Sequence, residues 1–233
     1  MKYSIHVNEV KRKENQGGEQ VSPLRGFASL VFGDSFKITN IAILENSKTG
    51  NLFVSMPRYK TSGVDETGNP IYKDICNPIT KEFREEQYRN ILEAFEKRID
   101  GQGKAIMGET TDMLDFSVRV NGFEKEGSSI LGLARVYFED SFVVNNVSIF
   151  QGKDEMFVAM PSYKTNQIDD GGKAIYQDIC FPVAKEFREK LYTEIVCEYE
   201  QTKKKNQNQV IDNVEKQVGS KEKQQGKENT PFR

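Results

Sequence analysis

Two clusters of cations beside tyrosines stand out in this 233-residue chain. Arg58, Tyr59 and Lys60 are followed by Lys73, Lys81 and Arg84; Tyr163 and Lys164 are followed by Lys173, Lys185 and Arg188. Lysine and arginine neutralise phosphates and release their counterions. Tyrosine rings offer faces on which unpaired bases stack. Lys81 and Arg84 lie three residues apart, as do Lys185 and Arg188, a spacing that puts each pair on one helix face. The chemistry open to these residues is nucleic-acid recognition. Arg58, Lys60, Lys81, Arg84, Lys164, Lys185 and Arg188 are the candidate phosphate contacts, and Tyr59 and Tyr163 the stacking groups. The competing reading is a solvated charged surface. Glu82, Glu85 and Glu86 surround Arg84, Glu186 and Glu189 flank Arg188, and Ser162 stands where the first cluster has Arg58.

The two clusters match because the chain repeats itself. Phe53 to Arg84 and Phe157 to Arg188 align without a gap, and 19 of the 32 positions are identical. Such a repeat sets the architecture and has to be recognised first. It reaches back towards the N-terminus. Tyr3, Ile5 and Val7 alternate with polar residues, as do Phe116, Val118 and Val120, the period-two mark of a half-buried strand. Gly26 to Phe36 is answered by Gly132 to Phe142, and the Gly33-Asp34 and Glu139-Asp140 pairs predict hairpin turns. The pattern slips at Thr39-Asn40 and Asn145-Asn146, which predicts a β-bulge in each copy. Met56-Pro57 and Met160-Pro161 predict strand ends. The retained Tyr-Lys-Thr stretch reads as an exposed loop.

Each copy closes on an amphipathic helix. The stripe is Phe83, Tyr88, Ile91, Leu92 and Phe95 in the first, and Phe187, Leu191, Tyr192, Ile195, Val196 and Tyr199 in the second. Pro78 and Pro182 stand just ahead of these helices. The fold class is therefore α+β: two tandem repeats, each an antiparallel sheet with one C-terminal helix. The boundaries are 1–98 for the first repeat, 99–113 for a glycine-containing mobile linker, 114–200 for the second repeat and 201–233 for a tail.

The tail holds eight Lys/Arg against four Asp/Glu, which leaves a net −6 on the other 200 residues. Its Lys, Gln and Asn content predicts disorder after a few residues of helix, and Lys203-Lys204-Lys205 is its strongest basic run. Nothing in the chain reads as a membrane span or export signal, and Cys76, Cys180 and Cys197 form no disulfide framework, so a cytoplasmic protein is expected. Cys76 and Cys180 read as small buried hydrophobes at strand ends. The one histidine, His6, lies on the polar side of a predicted strand, with Arg119 as its counterpart. No catalytic set recurs in both copies, and there is no phosphate loop or zinc-ligand spacing. The sequence argues against an enzyme and calls for no cofactor or metal. Asp65, Asp169, Asp74 and Asp178 read as caps of turns or helices.

Phe-Val-Ser/Ala-Met-Pro, Tyr-Lys-Thr, Tyr-x-Asp-Ile-Cys-x-Pro and a helix carrying Arg84 or Arg188 together resemble the stage V sporulation protein G family. The hairpins with Asp34-Ser35-Phe36 and Asp140-Ser141-Phe142 resemble it as well. The resemblance covers most of 1–98 and 114–200. It implies a small bacterial α+β domain, dimeric, that binds DNA or RNA as a regulator linked to septation and sporulation, with contacts around the basic loop and helix. Two departures stand out. The family has one unit per chain where this chain has two, and Asn77 and Phe181 stand where the family tends to carry a His. Tethered copies of a dimerising module meet at millimolar effective concentration. We therefore expect an intramolecular pseudo-dimer in which each unit covers a strand edge of the other. The alternative function is a protein-interaction module of the division machinery that pairs strand edges without touching nucleic acid.

Overall fold

Period-two alternation builds most of the molecule. The structure, a computed structural model, describes residues 1–11, 22–104, 114–123 and 127–225. The first repeat runs β1 (Lys2–Glu9), β2 (Leu24–Phe32), β3 (Phe36–Glu45), β4 (Leu52–Ser55), β5 (Arg58–Val64), β6 (Pro70–Asp74), β7 (Cys76–Pro78) and α1 (Lys81–Lys97), followed by β8 (Gly101–Lys104). The second runs β9 (Phe116–Gly122), β10 (Ile130–Phe138), β11 (Phe142–Gln151), β12 (Met156–Ala159), β13 (Ser162–Ile168), β14 (Ala174–Asp178), β15 (Cys180–Pro182) and α2 (Lys185–Gln225). The protein is α+β, with each helix laid on one face of its own antiparallel sheet. Ala28, Leu30 and Phe32 line the dry face of β2, and Ala134, Val136 and Phe138 that of β10. Phe187, Leu191, Ile195 and Tyr199 form the buried stripe of α2. Gly26 is needed where α1 ends, because a Cβ there would sit 2.5 Å from both the Asn8 carbonyl and the Phe95 ring. Among the described residues no helix is long and apolar enough to cross a membrane.

The repeats are joined by exchanged strands. After β6 the first repeat sends β7 across to β11, pairing Cys76 with Val144, Asn77 with Val143 and Pro78 with Phe142. The second repeat sends β15 to β3, pairing Cys180 with Ile38, Phe181 with Lys37 and Pro182 with Phe36. Four backbone bonds of 2.8 Å flank the crossings: Thr39 N–H to Ile179 O, Val183 N–H to Ser35 O, Asn145 N–H to Ile75 O, and Ile79 N–H to Ser141 O. Between the sheets Phe32 meets Phe142 at 4.9 Å and Phe36 meets Phe138 at 4.7 Å, centroid to centroid. The result is one continuous core. The expected pseudo-dimer is present, with a strand edge of each unit covered by the other.

The expected bulges explain how one strand serves two partners. Asn40 (φ 59°) and Asn146 (φ 58°) adopt left-handed backbone where the β2–β3 and β10–β11 registers shift. On one edge, β3 pairs β15 through Phe36–Ile38 and β4 through Ala42–Glu45. The bulge lies between these stretches and re-aims the strand.

Three expectations change. The linker at 99–113 begins as structure: Arg98 ends α1 in left-handed conformation (φ 52°), and Gly101–Lys104 pairs with β1 as β8; residues 105–113 lie outside the described ones. Tyr-Lys-Thr lies on a strand rather than in a loop, because β5 and β6 zip into a hairpin, as do β13 and β14. The tail expected to lose order soon after residue 200 continues α2 through Gln225. Its Lys, Gln and Glu are good intrinsic helix formers, and a helix already nucleated on the sheet only has to propagate. Residues 226–233 lie outside the described ones.

Candidate nucleic-acid interface

Each repeat raises a two-stranded arm, β5–β6 or β13–β14, whose residues are almost all exposed. A turn held by an aspartate caps it. Asp65 Oδ1 accepts the backbone N–H groups of Thr67 (2.9 Å) and Asn69 (2.8 Å), and Asp169 Oδ1 those of Gly171 (2.9 Å) and Lys173 (2.8 Å). Bonds from the Thr67 side chain and the Asn69 backbone hold the Asp65 carboxyl below the usual carboxylate range. The expectation that these carboxylates cap turns is met.

Register sorts the arm residues by face, since directly paired residues share one face and neighbours in sequence do not. Arg58 pairs with Asp74, Tyr59 with Lys73, and Lys60 with Tyr72. Arg58, Lys60 and Tyr72 therefore share a face, and the Arg58 guanidinium lies 4.9 Å from the Tyr72 ring centre. Tyr59 is on the opposite face with Lys73. In the second arm Lys164 pairs with Tyr176, while Tyr163 faces the other way and donates its hydroxyl to Gln177 Oε1 at 2.7 Å. Tyr59 and Lys60, adjacent in sequence, thus lie on opposite faces, as do Tyr163 and Lys164. Each lysine has a different aromatic partner, Tyr72 or Tyr176, which are 49% and 63% exposed. The sequence reading leaves these two out. Their signal is a tyrosine kept in both copies two residues before Asp74 and Asp178.

The helix cations lie in the first turns of α1 and α2. Thr80 caps α1 by accepting the Phe83 N–H at 3.3 Å. Arg84 donates from Nη2 to the Pro78 carbonyl, and Arg188 likewise to Pro182, each at 3.3 Å. Lys81 lies 3.8 Å from Glu85, and Lys185 3.8 Å from Glu189, in exposed i,i+4 pairs. Such pairs contribute only about 0.3–0.5 kcal/mol and release their cations readily. Burial raises the Tyr88 phenol while Arg84 lowers it and Asp74 raises it; Tyr192 feels burial, Arg188 and Asp178 in the same way. In chain order each helix follows its own arm across only the short strand β7 or β15. Among the described residues no hydrogen bond or ion pair joins the cations of one repeat to those of the other. Cys76 and Cys180 are buried in the exchanged strands, and burial pushes both thiols up. His6 Nδ1 lies 3.0 Å from Asp100 Oδ2 on the first sheet.

Comparison with known proteins follows the same division. A profile of the SpoVG family matches residues 4–97 and 113–201. The putative septation protein SpoVG of Caldanaerobacter subterraneus subsp. tengcongensis is 34% identical over 91 residues, which is 39% of this chain and 92% of the relative. The protein of the same name from Treponema denticola is 35% identical over 82 residues, 34% of this chain and 80% of the relative. That from Clostridium perfringens is 36% identical over 86 residues, 37% of this chain and 88% of the relative. Each alignment spans most of the relative and little more than a third of this chain, the share that one repeat makes up. Matched twice, on the two units that exchange strands, the chain belongs to the SpoVG family and carries two tandem copies of its domain.

Proposed function

We propose that this protein is a cytoplasmic nucleic-acid-binding regulator, a binding protein and not a catalyst, that acts in septation or sporulation. The process is suggested by the relatives, which are named septation proteins. The binding rests on the arms. One observation carries it: in both repeats an exposed lysine stands directly across the arm from an exposed tyrosine, Lys60 from Tyr72 and Lys164 from Tyr176. Cation and ring at one rung suit a phosphate and its neighbouring base. Arg58 strengthens the first arm. Lys81, Arg84, Lys185 and Arg188 extend each site onto the first turn of the helix, and Tyr59 and Tyr163 serve the reverse face of the arm. DNA and RNA both fit this chemistry.

Binding titrations against salt test it, with Lys60→Ala/Lys164→Ala and Arg84→Ala/Arg188→Ala beside the parent. Each double change removes one cation from each site, so the slope of log K against log salt falls by about 0.7 per site on a single strand or about 0.9 on a duplex. Absence of binding at low ionic strength contradicts the proposal. The apolar residues of the arms favour a second reading, a protein partner. Val64 and Ile168, near the tips, are 61% and 70% exposed. Partners that remain captured after nuclease digestion, and are lost with Val64→Ser/Ile168→Ser, support that reading.

A further inference from the structure

The two sheets differ on the face turned away from the helix. On the second sheet Arg119 of β9 stands directly opposite Arg135 of β10. Both are exposed. Like charges directly opposed across a strand pair are unfavourable, and among the described residues neither guanidinium has a carboxylate partner. Arg119 leans instead over Tyr137, 5.4 Å from the ring centre. Phe150 and Phe157 stack on the same face, centroids 5.2 Å apart and planes 12° from parallel, and Phe157 is half exposed. None of the outward residues of β9 to β12 is Asp or Glu. On the first sheet His6 and Ser29 form the rung that matches the two arginines. There His6 already faces Asp100, and Val31 and Leu44 replace Tyr137 and Phe150.

We propose that the open face of the second sheet is a separate site for single-stranded nucleic acid, with Arg119 and Arg135 holding phosphates and the Tyr137 and Phe150–Phe157 rings stacking bases. A flat sheet with aromatic rings and unpaired cations meets both needs of a single strand, charge neutralisation and a platform for unstacked bases. A duplex keeps its bases paired and gains only the charge contacts. An anionic ligand also relieves the repulsion between the two arginines, which stands out on a body whose first 200 residues carry a net −6. The site belongs to the second repeat alone. It rests on the nucleic-acid reading above but on different residues.

The test uses the full chain and a fluorescein-labelled strand of twenty deoxythymidines, with a duplex of the same length as comparison, followed by anisotropy. Arg119→Ala/Arg135→Ala weakens single-strand binding by about tenfold and lowers its salt slope by about 1.4. It weakens duplex binding less than about threefold. Phe157→Ala weakens the single strand by about fivefold, through one lost stacking contact, while Phe53→Ala at the twin position leaves it within about twofold. Both arginines are exposed, and the double variant melts at or above the parent temperature because a like-charge pair has gone. If the parent binds the single strand and the arginine variant binds it equally, the sheet-face site is wrong and the arms remain. If loss falls equally on strand and duplex, the face is a general cationic patch and not a stacking site. If the parent binds neither, both readings fall.

Discussion

Gln87 is fully buried, and among the described residues neither its amide oxygen nor its amide nitrogen has a hydrogen-bond partner. Its twin in the second repeat is Leu191, a core residue with the same burial. A buried amide without partners costs on the order of 1–3 kcal/mol. Gln87→Leu should therefore raise the unfolding free energy by about 1–3 kcal/mol, read as a higher urea midpoint at unchanged slope; an equal or lower midpoint contradicts this. Tyr3 makes a second prediction. Burial pushes its phenol up to about 12, against the hydrogen bond with Asn90 that lowers it. The unfolded tyrosine ionises near 10, so the unfolded chain loses its proton first. Stability is whole below pH 10 and falls between pH 10 and 12, by about 2 kcal/mol for this residue. Tyr3→Phe should shrink that alkaline loss in urea titrations. It does not abolish it, since Tyr88 and Tyr192 shift in the same direction.

At the scale of elements, the sequence shows strands and helices clearly and partners poorly. Alternation at Tyr3, Ile5 and Val7 and the four-residue spacing from Phe187 to Tyr199 follow directly from one dry face against water. The break in alternation at Asn40 and Asn146 is legible for the same reason. What is not legible is where β7 and β15 go. Three residues are too few to carry a period, and their partners lie in the other repeat. The arm shares this difficulty. Tyr59 and Lys60 are adjacent in sequence, yet register puts them on opposite faces and brings Tyr72 to Lys60 instead. The tail shows the opposite failure, because composition argued for coil while the helix already laid on the sheet runs on through Gln225. The bulges make the element-scale prediction. A β-branched residue at φ near 59° is strained. Asn40→Val or Asn146→Val should each cost about 1–3 kcal/mol, and the double variant more than the sum if both crossings stiffen one interface. Stabilities within about 0.5 kcal/mol of the parent would remove the bulges from the account.

At the scale of the molecule, the two copies of the domain meet within one chain. The copies are held together by reciprocal strands and a shared phenylalanine cluster. This fixes both arms on one body, since each arm leaves one sheet and returns the chain to the other. It also leaves the copies free to diverge, as the arginine rung of the second sheet illustrates. The most direct measurement is to place a protease site within residues 105–113, cleave the folded protein and follow the fragments. The account predicts that the cut halves co-elute at the size of the intact monomer, separate only in denaturant, and unfold in a single transition until then. Halves that part on cleavage in native buffer, or that melt independently, would contradict the interlocked fold on which the paired arms depend.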